Sequence, residues 1–264
     1  MKTKLKNTIL IIIGLICFYL VFGPLMPAMP FKPGLQEMKT DRAFVYARNV
    51  ESLDPSYNDI DSYMAMAEKF HGMKFKRPVR FYVMSSKLAS RWYTPCLNPN
   101  IKGLAFFTGD IIYIASIDRA YPMKSYLMHE LSHALLYQNA SFASKLRMHR
   151  LPWVMEGAAV AFGGPDYMGN KEFTERFAKF KVKTSGDEGL PFDNPKQFSS
   201  GLLYPVYGDF TKYLIEKYGE KKYQKFLERF IEDPDQPHVI AKEIFGSDLH
   251  NLAGQFIKNI NYRQ

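Results

Sequence analysis

The segment Met128-His129-Glu130-Leu131-Ser132-His133 holds the residue types and spacing most specific for chemistry in this chain. His129 and His133 are four residues apart. On a helix they share one face, about 6 Å apart, so two imidazoles can hold one cation. Glu130 projects to the neighbouring side, within reach of a water on that cation. Metal-assisted hydrolysis needs this arrangement. The ion acidifies water and polarises a carbonyl, while a carboxylate outside the coordination sphere takes the proton. With only six histidines in 264 residues, chance supplies an HExxH in fewer than about one such chain in a hundred.

A catalytic metal site needs a third protein ligand and an open fourth position. Glu156 is the candidate, because it is the only charge in the apolar run Leu151-Pro152-Trp153-Val154-Met155-Glu156-Gly157-Ala158-Ala159-Val160-Ala161. Pro152 can start a helix there. Gly157 and Ala159 lack bulk, which lets that helix approach the HExxH helix closely. An extended metzincin pattern is excluded, since Leu136 and Asn139 stand where its glycine and third histidine belong. Two cysteines, Cys17 and Cys96, are too few for a thiolate site, so any metal uses histidine and carboxylate ligands. A tetrahedral intermediate also needs a donor for its oxyanion. Tyr207 is the first choice and Tyr204 the second, since both begin a helix placed to cap the cleft. His71, His149, His238 and His250 have no partner at ligand spacing and are expected at surface or capping positions.

These groups must be positioned by a fold. Asp54 and Pro55 open a helix to His71, with Ile60, Tyr63, Met64, Ala67 and Phe70 at helical spacing. Strand-like runs follow over 79–84, 104–107 and 111–115. The last two flank Thr108-Gly109-Asp110 and read as a hairpin. A strong helix spans 123–138, and helices are expected over 152–162, 171–182, 202–218, 221–231, 239–245 and 247–260, with a long loop at 185–195. The expected class is α+β: a small mixed sheet lobe with the active helix (35–140), then a helical lobe (141–264).

The first 34 residues differ. Lys2, Lys4 and Lys6 precede an apolar stretch, and no charge returns until Lys32. This reads as a membrane anchor or a signal segment, the anchor being preferred because Met26 spoils the cleavage pattern before Ala28. Lysines ahead of the anchor stay cytoplasmic, which places the rest outside. If the segment is cleaved, the domain is secreted. Beyond those three lysines the net charge falls from +9 to +6. The densest basic patch, Lys74, Lys76, Arg77 and Arg80, comes with no nucleic-acid motif, so no nucleic-acid partner is expected. Only the N-terminal segment is apolar enough for a span, which argues against an intramembrane protease.

HExxH followed by Trp153-x-x-Glu156-Gly157-x-Ala159 resembles the gluzincin zinc metallopeptidases, specifically the peptidase-MA-like domains. Weaker similarities are Tyr204-Pro205-Val206-Tyr207-Gly208-Asp209-Phe210 and Ile244-Phe245-Gly246-Ser247-Asp248-Leu249. The resemblance implies a zincin-like fold, Zn2+ on His129, His133 and Glu156, and Glu130 as general base. It implies a peptide or protein substrate laid along the strand before the active helix, here Ile111, Tyr113 and Ala115. Some gluzincins orient a histidine with an acidic residue four after the glutamate ligand. Val160 stands there, so Asp209 is the candidate for that role. The rival expectation is a catalytically silent gluzincin-like binding domain.

Overall fold

A computed structural model describes residues 2–22, 34–84, 103–115, 122–148, 152–164 and 200–262. The expected helix at 171–182, the loop at 185–195, Trp92, Cys96 and His149 lie outside the described residues.

Helix α1 spans Lys2–Phe22. Its described side chains, Leu5 to Phe18, are exposed on every side. Among the described residues no helix is long and apolar enough to cross a membrane.

The remainder is α+β. Strands β1 (Gln36–Lys39), β2 (Ala43–Ala47), β3 (Val79–Met84), β4 (Gly103–Ala105) and β5 (Ile111–Ala115) form a mixed sheet of order β1-β2-β3-β5-β4. β3 is central, and its alternation divides two packing faces. Val79 and Phe81 point into the main core, while Tyr82 and Met84 join Tyr113 on the other side. Strand β1 escapes sequence reading because the polar Gln36-Glu37-Met38-Lys39 has no apolar alternation, and β2, Ala43-Phe44-Val45-Tyr46-Ala47, is a short apolar run missed beside it. Gly109 closes the β4–β5 hairpin at φ 79°, with its amide on Phe106 O at 2.8 Å. A Cβ there would stand 2.7 Å from the Gln138 backbone nitrogen, so glycine serves both the turn and the close approach.

β5 is not the outer strand. It pairs in parallel with β3 and antiparallel with β4, so both sides of the ladder at Ile112 to Ile114 are taken. A substrate laid along Ile111, Tyr113 and Ala115 would therefore meet a strand already paired on both sides at its centre. The tight turn at Gly109 folds the preceding strand back alongside β5, and β4 takes the outer position among the described strands.

Helix α2 (Ile60–His71) follows a 3-10 turn capped by Asp54, whose carboxylate accepts from Ser56 N at 2.9 Å. Gly72, at φ 69°, ends it. Helix α3 (Met123–Asn139) is buried from Ser125 to Gln138 and runs between the sheet, α2 and the later helices. Then come α4 (Phe142–Met148), α5 (Pro152–Gly163), α6 (Ser200–Tyr218), α7 (Glu220–Glu232), α8 (Pro237–Phe245) and α9 (Leu249–Tyr262). One continuous apolar cluster runs from Ala43 to Phe256, so the sheet-bearing and helical regions share a core.

Candidate metal centre

His129 and His133 project from α3 toward α5, with their Nε2 atoms 3.1 Å apart. Glu156 on α5 meets them: its Oε2 lies 3.4 Å from His129 Nε2 and 3.5 Å from His133 Nε2. These three side chains are the one group among the described residues that could hold a metal ion. The donors come from two helices, and a glycine lets the third helix close behind them. Gly157 faces α6 so tightly that a Cβ would stand 2.7 Å from both Thr211 Oγ1 and Tyr207 O.

The electrostatics follow from burial and charge. Burial works to raise the Glu156 pKa, but the two imidazoles outweigh it and hold the carboxyl well below the usual range. For His133, burial disfavours the charged form, yet Glu156 and then Glu130 reverse the balance and raise its pKa. Glu156 Oε2 and His133 Nδ1 are buried without a hydrogen-bond partner. Leaving a buried polar atom unsatisfied costs about 1–3 kcal/mol. A carboxylate oxygen so placed, beside two imidazole nitrogens, is the donor set of a cation site.

Glu130 lies next to this triangle without joining it. Its Oε2 accepts the Ala105 amide of β4 at 2.7 Å, and burial raises its pKa. Gly103 makes room for it, because a Cβ there would come within 2.5 Å of Glu130 Oε1. The outer strand and the carboxylate are thus in direct contact.

The two tyrosines separate. The Tyr204 hydroxyl lies near the Glu156 carboxylate, and burial followed by that negative charge raises its pKa. Tyr207 is packed in the α5–α6 interface at 1% exposure, its pKa pushed up to about 12 by burial and then by Glu156. Asp209 orients neither histidine. It faces Lys212 and Glu216 along α6, and burial pushes its carboxyl up to about 6.

Two groups escape sequence reading. His71, expected at the surface or as a cap, is wholly buried, with Nε2 2.8 Å from Ser132 Oγ inside the HExxH segment. Its signal was its place on the apolar face of α2, one turn beyond Ala67. Burial, then the charge on His133, pushes its pKa down to about 3. Gln138 clamps the far end of α3. Its Oε1 accepts the Lys76 and Arg77 amides at 2.8 and 2.9 Å. Its Nε2 donates to Arg77 O at 3.1 Å and Gly109 O at 2.8 Å. A lone amide in an otherwise apolar helix turn was the only local hint.

No protein-family profile matches the chain, and no curated protein matches it in sequence. The reading of the site therefore stands on its own geometry.

Proposed function

We propose that the protein is a zinc-dependent peptidase of the gluzincin type with a zincin-like fold, tethered to a membrane by its N-terminal segment and acting on the extracytoplasmic side. The observation that carries this reading is the His129, His133 and Glu156 triangle. Three ligands at about 2.0–2.1 Å from a tetrahedral zinc ion stand about 3.3–3.4 Å from one another. The donor separations of 3.1, 3.4 and 3.5 Å fit that figure without rearrangement.

Bound there, zinc would polarise a substrate carbonyl and acidify water. The protein's own groups do the rest. Glu130, with a raised pKa, takes the proton of the attacking water and passes it to the departing amine nitrogen. Tyr204, rather than Tyr207, supplies the hydroxyl donor, since it is the less deeply buried of the two and feels the charges of both Glu156 and Glu130. β4, beside Glu130 and outermost in the sheet, offers backbone groups to an extended peptide. This replaces Ile111, Tyr113 and Ala115 as the substrate strand.

The tether is supported by Lys2, Lys4 and Lys6 ahead of a stretch with no charge until Lys32, and by the exposed apolar side chains of α1. Replacing Glu130 with Gln is expected to abolish peptide hydrolysis while leaving about one zinc per chain. Hydrolysis surviving that change would refute the general-base role. A zinc-loaded wild type that cleaves no member of a peptide library would instead favour the silent binding domain.

A further inference from the structure

Three large apolar side chains project from one corner of the molecule. Phe107, at the β4–β5 turn, is 41% exposed; Phe142 and Leu146, one turn apart on α4, are 67% and 61% exposed. Phe107 and Phe142 touch edge to face at 6.4 Å between ring centres. The face is held rigidly outward. Ser144 and Met148 are buried, Ser144 Oγ donates to Glu232 O, and Arg147 pairs with Asp235 at 2.7 Å. The Gln138 clamp fixes Lys76 and Arg77 beside the same turn.

Cations ring these side chains. Of the basic patch read from the sequence, Lys74 pairs with Glu68 and Arg80 with Asp110. Arg77 donates to Thr108 O at 2.8 Å, next to Phe107. Lys76 is exposed, and no carboxylate among the described residues pairs with it or with Lys145. Lys145 lies between the two apolar residues of α4. Burial lowers its pKa first and the charges of Arg77 and Lys76 second, while Asp110, already held by Arg80, opposes them. The folded chain thus gathers Lys76, Arg77 and Lys145 around Phe107, Phe142 and Leu146.

We propose that this corner is a second membrane contact, inserting its apolar side chains among the headgroups of an anionic bilayer while the cations meet the lipid phosphates. Exposed apolar side chains with a cationic rim fit a lipid interface. Charge complementarity selects anionic over zwitterionic lipid. The corner lies where β3 and β5 begin, at the end of the sheet opposite the start of β1. The thirteen residues between Phe22 and Gln36 can span up to about 45 Å, more than twice the roughly 20 Å length of β3. The proposed tether is thus long enough to let the corner reach the same membrane. The inference rests on that tether and not on peptidase activity.

The test is amide hydrogen exchange of the full chain in nanodiscs of phosphatidylcholine alone and of phosphatidylcholine with phosphatidylglycerol. Exchange over 106–109 and 142–147 is expected to slow about tenfold in the anionic discs and to recover at high salt. The protection should vanish in the Phe142→Ser, Leu146→Ser double variant and in the Lys76→Glu, Lys145→Glu double variant. Phe142, Leu146 and Lys76 are exposed and Lys145 is half-buried, and unchanged exchange in α3 verifies the fold. A chain that enters both discs with equal exchange overturns this contact alone and turns the corner toward a protein partner. A chain that enters neither disc overturns the tether and this contact together.

Discussion

Gly157 offers the sharpest test of how the metal centre is held. Replacing it with Ala places a Cβ 2.7 Å from Thr211 Oγ1 and 2.7 Å from Tyr207 O. The hydroxyl can rotate away, but the carbonyl belongs to helical backbone and cannot. Restoring ordinary contact of about 3.4 Å requires α5 and α6 to part by roughly 0.7 Å at this point. Overpacking of this kind costs about 1–3 kcal/mol. The better helix propensity of Ala returns about 1 kcal/mol, so a net loss of up to about 2 kcal/mol is expected. The neighbouring residue is Glu156, and a metal site tolerates only about 0.2 Å of error in ligand distance. Zinc affinity should therefore fall roughly 10–100-fold, the range for loss of a supporting contact. Gly254→Ala is the control. Gly254 lies in α9 with nothing within 4 Å of its added Cβ, so the same change should stabilise by about 0.5–1 kcal/mol and leave zinc affinity alone. Chelator competition and thermal melting of the metal-free protein read both effects. Gly157→Ala binding zinc as tightly as wild type, and melting no lower, would refute the argument that this close approach positions the ligand.

Further outcomes follow from the same geometry. Gly103→Ala drives a methyl group to 2.5 Å from Glu130 Oε1 and displaces the Ala105 contact; turnover should fall at least about 10²-fold with zinc content unchanged, and normal turnover would separate β4 from the base. Tyr204→Phe should lower turnover about 10²-fold, whereas Tyr207→Phe should show itself mainly in melting temperature; steady-state kinetics of the pair decides between them. His71 carries a pH signature. Its folded pKa of about 3 lies below the unfolded value of about 6.5, so the unfolded chain binds the proton first as pH falls. Its share of stability is complete above pH 6.5 and declines by up to about 1.4 kcal/mol per unit toward pH 3. Denaturant titrations of the metal-free protein should show a shallower acid slope for His71→Gln, and parallel slopes would reject the assignment.

What the sequence determines by itself is local. Four-residue spacing puts His129 and His133 on one helix face wherever that helix lies, because the repeat is set by backbone geometry alone. Short runs of β-branched and aromatic residues mark β3 and β5, and a lone carboxylate in an apolar run marks Glu156. The tertiary structure decides which of these local pieces meet. Nothing within β5 tells whether its second edge is covered, because strand order is settled by backbone partners distant in the chain. Thus β4 rather than β5 lies outermost, beside Glu130. Tyr204 and Tyr207 sit on one helix with similar sequence surroundings, and only the docking of α6 against α5 sends one hydroxyl to Glu156 and packs the other ring into the core. His71 and Ser132 lie 61 residues apart yet are hydrogen-bonded. Helical period identifies the face on which each sits, but only the folded packing shows which buried polar group finds which.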